Sequence, residues 1–99
     1  MDEVMEIRNP KFGKIRVLRI SGYPWIVEED VAEALGYISA GGAILQNVKC
    51  GDIWRFHDKD GEVWMVINKS AVFTVAMGSN HPKAGAFLQW LIDEVWSED

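Results

Sequence analysis

PWIVEEDVAEALGY, residues 24–37, is the stretch whose reading decides the fold. Pro24-Trp25-Ile26-Val27, with Tyr23 before it, is aromatic and β-branched and predicts a strand. A helix should follow at once. Asp30 suits an N-cap, with Glu33 three residues on as in a capping box. Val31, Ala34 and Leu35 share one helical face, and Gly36 stands where a C′ glycine ends a helix. The shape is that of a strand feeding a short, well-marked helix. The charge is unusual for a nucleic-acid module, because Glu28, Glu29, Asp30 and Glu33 crowd the helix.

Upstream, IRVLRI at 15–20 predicts a second strand, joined to 23–27 through the turn residues Ser21-Gly22. Residues 1–11 read as a lead-in and 12–99 as a single domain, a size at which one modest core is expected. Downstream, Ser39 is placed to cap a second helix with Ile44, Leu45 and Val48 inward. IWRFH at 53–57 and EVWMVI at 62–67 flank DKDG and predict a hairpin. The second of these strands is apolar on both faces, which predicts a place inside a sheet. Asn68 or Ser70 should cap a third helix, closed by Gly78. Pro82 suits the first turn of a fourth, whose Phe87, Trp90, Leu91 and Val95 form an apolar stripe. The expected fold is α+β: a small, mostly antiparallel sheet of two hairpins packed with about four short helices.

The chain is 48% hydrophobic and 25% charged, the balance of a globular protein. Its five tryptophans read as core material. Net charge is −5, which opposes simple phosphate-driven binding. The charge is segregated, however: all cations up to residue 19 lie in RNPKFGKIRVLR, residues 8–19, which contains no acid. Cys50 is the single cysteine, so neither an intrachain disulfide nor a CxxC metal knuckle can form, and a reducing compartment is expected. No apolar run approaches the length of a membrane span, and no signal peptide is evident; a cytoplasmic protein is expected.

Four constellations carry potential chemistry. Glu28, Glu29 and Asp30 read as acids favoured in a first helical turn rather than as paired catalytic carboxylates. Cys50, His57 and His81 lack the spacing of a thiol–imidazole pair. SAGGA at 39–43 lacks the Lys-Ser/Thr of a phosphate loop. Lys14 and Arg16 share one face of a strand and Arg19 lies on the other; they could follow a phosphate backbone or protect a sheet edge. No catalytic, cofactor or metal set emerges, and a non-enzymatic binding module is expected.

FGKIRVLRISGYPWIVEEDVAEALGY, VINKSAVFTVAMGS and HPKAGAFLQWLIDEV together resemble, in order and spacing, the BRO-N domain. This is the N-terminal module of phage antirepressors and baculovirus BRO proteins. The resemblance covers roughly residues 12–95. It implies an α+β regulatory module associated with DNA binding and antirepression. This chain departs from the family in charge. Glu29 and Glu33 stand where the family commonly has basic residues, and Gly85, Ala86, Leu88 and Gln89 replace a Lys/Arg-rich stretch. Lys69 departs in the opposite sense, replacing a usual Glu. Two readings result. One is an antirepressor-like module that contacts a repressor or other regulatory protein, or a second copy of itself, through Glu29, Glu33, Ala86, Leu88 and Gln89. The other is a transcription regulator that binds DNA directly through Lys14, Arg16, Arg19 and Lys69.

Overall fold

The computed structural model describes residues 3–37 and 48–97. The sequence expectation of an α+β fold holds. Five strands, β1 (Glu3–Asn9), β2 (Gly13–Ile20), β3 (Tyr23–Val27), β4 (Ile53–His57) and β5 (Val63–Ile67), form one sheet. The order is β1-β2-β3-β5-β4, antiparallel throughout. The α-helices among the described residues are α1 (Glu28–Ala34), α2 (Lys69–Gly78) and α3 (Ala84–Leu91). A 3₁₀ turn at Cys50–Asp52 precedes β4, and α3 runs on into a π-turn at Ile92–Trp96. The helix expected after Ser39, and the SAGGA stretch, fall outside the described residues. Val48, which is described, is half-buried against the core.

Each hairpin closes as its turn residues require. Ser21 and Gly22 both take positive φ, 52° and 84°, the pattern of a type I′ turn whose twist suits paired strands. In the second hairpin the Asp58 carboxylate accepts from the backbone N–H groups of Asp60 and Glu62, at 2.8 and 2.9 Å.

The lead-in is in fact a strand. β1 pairs with β2 along its whole length, from Glu3 opposite Arg19 to Asn9 opposite Gly13. Its acids made it look like a loose segment. They belong to the pairing, because Glu6 stands directly opposite Arg16 in the register.

One face of the sheet carries the main core. Ile15, Val17, Ile26 and Ile67 meet Val31 and Leu35 of α1, Val72 and Val75 of α2, and Phe87 and Leu91 of α3. Phe12 seals one end, edge-on to Phe87 at 5.2 Å and stacked on Trp90 at 5.7 Å. The expected stripe of the last helix is borne out: Phe87, Leu91 and Val95 are buried and Trp90 is half-buried. Asn68 is the cap of α2, with its side-chain oxygen accepting from Ala71 N–H at 3.0 Å. Pro82 lies just ahead of α3 instead of in its first turn.

α1 begins earlier than its sequence suggests. It starts at Glu28, directly off β3, and Val27 is the N-cap residue with no side-chain cap bond. Asp30 is therefore inside the helix, and its carboxylate is used elsewhere. The C-terminus is as expected: Gly36 takes φ 75°, with Gly36 N–H bonded to Glu33 O and Tyr37 N–H to Ala32 O, a Schellman pattern.

Tyr37 then ties α1 to α2 by donating its hydroxyl to Val75 O at 3.0 Å. Burial pushes the Tyr37 phenol above its ordinary value. The folded state thus holds the neutral phenol more tightly than the unfolded state does. That contribution is complete below about pH 10 and is lost as pH rises through the folded pKa. Unfolding free energies of wild type and Tyr37→Phe from urea titrations, measured from neutral to alkaline pH, should differ by about 1 kcal/mol at neutrality. The difference should shrink above about pH 10.

Candidate interaction surface

The basic strand is not a free cationic stripe. Asp30 reaches back from α1 and binds Arg16 three times. It accepts from the Arg16 backbone N–H at 2.7 Å, from Nε at 2.9 Å and from Nη2 at 3.0 Å. That hydrogen-bonded carboxylate, against the opposing effect of burial, holds the Arg16 guanidinium above its ordinary pKa. Glu29 adds a looser contact at 3.9 Å. Glu6 stands 3.6 Å from both Lys14 Nζ and Arg8 Nη2. Exposed pairs of this kind add little stability, but they cancel the field that a phosphate would meet.

Nor do the four candidate DNA contacts converge. Lys14 and Arg16 share one face of β2. Arg19 lies on the other face, beside Pro24 in the register. Lys69 opens α2, with its ammonium 5.9 Å from the centre of the Trp96 ring.

The face of the sheet that bears Lys14 and Arg16 carries a second, aromatic cluster. Leu18, Val27 and Val66 are fully covered there, and the side chains packed on them are Ile20, Trp25, Phe56 and Trp64, all from strands. Trp25 and Trp54 lie 6.4 Å apart, and Phe56 and Trp64 6.1 Å apart. The Arg16 guanidinium sits over Trp64 at 5.1 Å. The outer members are open to solvent: Trp54 is 54% exposed and Tyr23 72%. Exposed large aromatics clustered on one face are a recognised mark of an interaction surface.

Two hollows adjoin this face. A cleft of about 490 Å³ opens where α1 leaves β3 and wedges beside β5, lined by Arg16, Val27, Glu28, Glu29, Val63 and Trp64, among others. A shallower groove of about 220 Å³ runs between the start of β3 and the start of α2, past Tyr23, Trp25 and Lys69.

The residues read as protein contacts fall in two places. Glu29 and Glu33 are exposed on α1, and Glu29 lines the larger cleft. On α3, Ala86 and Gln89 are exposed, but Gln89 is bonded to Asp93 at 3.0 Å and Leu88 packs against the core. The outer side of α3 is therefore small and polar. The residues that the sequence reading missed are Trp25, Trp54, Phe56 and Trp64. Of the five tryptophans, only Trp96 is buried. Strand alternation offered a signal, since Trp54 and Phe56 share one parity, as do Trp64 and Val66. What it could not show is that this parity faces away from the helices.

Among the described residues, no group of three or more His, Cys, Asp or Glu is placed to hold a metal ion. No helix among them is long and apolar enough to cross a membrane. No curated protein and no solved structure matches the chain. The family model described as "BRO family, N-terminal domain" matches residues 14–97, which spans β2 to the π-turn after α3. With that match over most of its length, the chain belongs to the BRO family and carries its N-terminal domain.

Proposed function

We propose that this chain is a non-enzymatic regulatory module of the phage antirepressor type, which acts by binding a repressor or another regulatory protein. The observation that carries the reading is the pairing of two features on one sheet face. The cations of that face are each met by a carboxylate, while Tyr23 and Trp54 are left open to solvent. Such a face is poor for phosphate and suited to a protein partner, where exposed tryptophan and tyrosine are frequent energetic anchors.

Direct DNA binding through Lys14, Arg16, Arg19 and Lys69 is the second reading, and its support is the acid-free run at residues 8–19. Titration of the chain into mixed-sequence duplex DNA separates the two. The protein-contact reading expects no saturable binding at low salt. The DNA reading expects tight binding that weakens steeply as salt rises.

A further inference from the structure

We infer that the aromatic sheet face docks a cationic, apolar segment of a partner protein, with an arginine of that segment seated in the cleft between α1 and β5. This inference rests on the protein-contact reading and names the chemistry of the partner. The cleft, of about 490 Å³, is continuous with the aromatic face, because Arg16, Val27 and Trp64 belong to both. Its exposed charged side chains besides Arg16 are two carboxylates, Glu29 and Glu62. Arg16 is already committed to Asp30 by two side-chain bonds, so it contributes little positive field toward an incoming group. Val27, Val63 and Met65 supply apolar wall for an aliphatic stem.

Complementarity selects among occupants. A phosphate backbone would meet those carboxylates and be repelled. A second copy of this chain brings a net charge of −5 to the same place. A segment with one arginine flanked by apolar residues satisfies both parts of the surface. Its guanidinium takes Glu29 and Glu62 in charge-assisted hydrogen bonds, and its neighbours cover Trp54, Trp25 and Phe56.

The test uses the full chain, ¹⁵N-labelled, titrated with N-acetyl-Leu-Arg-Leu-amide and, separately, with its Leu-Glu-Leu counterpart. The expected result is saturable binding of the arginine peptide in the millimolar range. Shifts should be confined to Glu28, Glu29, Val63–Met65 and the indole N–H groups of Trp54 and Trp64. The glutamate peptide should leave these signals unmoved. The Glu29→Gln/Glu62→Gln double variant changes only exposed side chains. It should weaken arginine-peptide binding roughly tenfold. Trp54→Ser should weaken it severalfold while the amide spectrum stays folded.

Three results would overturn the inference: equal affinity in the double variant, shifts scattered over acids remote from the cleft such as Asp93 and Glu94, or a concentration-dependent dimer that buries Trp54. Should the peptide fail while the chain also ignores duplex DNA, the partner class is wrong and the protein-contact reading survives. Should DNA bind tightly at low salt, the protein-contact reading itself falls.

Discussion

Phe87→Ala should cost about 3–5 kcal/mol of unfolding free energy. The ring is 0% exposed and lies at the meeting point of the sheet and α3. It touches Phe12 edge-on at 5.2 Å and Trp90 at 6.2 Å. Truncation removes the transfer term of a whole phenyl ring and leaves a cavity whose walls are other rings. Those walls cannot collapse freely, because Phe12 is fixed by the turn between β1 and β2, where its N–H bonds to Asn9 O at 3.2 Å. A domain of this size has a total stability of roughly 5–15 kcal/mol. The variant should therefore melt about 15–30 °C lower than wild type, or be partly unfolded at 25 °C. Phe87→Leu, which keeps most of the volume, should lose less than half as much. Thermal melts followed by near-ultraviolet circular dichroism would read both, since the aromatic cluster gives the signal. A change in melting temperature below about 5 °C for the alanine variant would mean that this cluster is not the centre of the core.

Asp30→Ala should cost about 3 kcal/mol, near the lower end for breaking a buried ion pair because Arg16 keeps some access to water. The Asp30 side chain is 7% exposed and that of Arg16 25%. Removing the carboxylate strands a half-buried guanidinium over Trp64 and also leaves the Arg16 backbone N–H without its 2.7 Å acceptor. Arg16→Met in the same chain removes the stranded charge. The double variant should therefore recover most of the loss and retain a deficit of about 1 kcal/mol for the orphaned N–H. Urea unfolding of the two singles and the double gives the cycle directly. Additive costs would show that Asp30 and Arg16 are not coupled, and that the clamp between α1 and β2 is a surface contact.

Signals that act within a few residues were legible in the sequence. Ser21-Gly22, Gly36, the Asn68 cap and the stripe of α3 each follow from local steric and hydrogen-bonding needs, and each stands where expected. What failed depended on partners distant in the chain. Asp30 has the local pattern of an N-cap, yet its carboxylate is taken by Arg16, fourteen residues earlier. A buried, charge-assisted bond outweighs a capping bond. The acids of β1 looked like a polar lead-in because their meaning lies across the strand, in the basic β2.

The interaction surface was the hardest part to read for the same reason. Tryptophan in a short chain suggests core, and strand alternation separates two faces without saying which one the helices cover. Only the packing of α1, α2 and α3 on the side of Ile15 and Val17 leaves Trp25, Trp54 and Trp64 on the open side. Charge told half of the story. The run at residues 8–19 is basic in sequence, and the fold brings Glu6, Glu29 and Asp30 to it.

The claim that the fold neutralises Lys14 and Arg16 of this strand, and leaves a face for protein rather than phosphate, is tested most directly by fluorescence anisotropy. Labelled mixed-sequence duplex DNA would be titrated with the chain at about 50 mM and about 200 mM salt. The account expects no saturable binding at either concentration. Tight binding at the lower salt that falls a thousandfold or so at the higher would show several phosphates held by Lys14, Arg16, Arg19 and Lys69, and would contradict it.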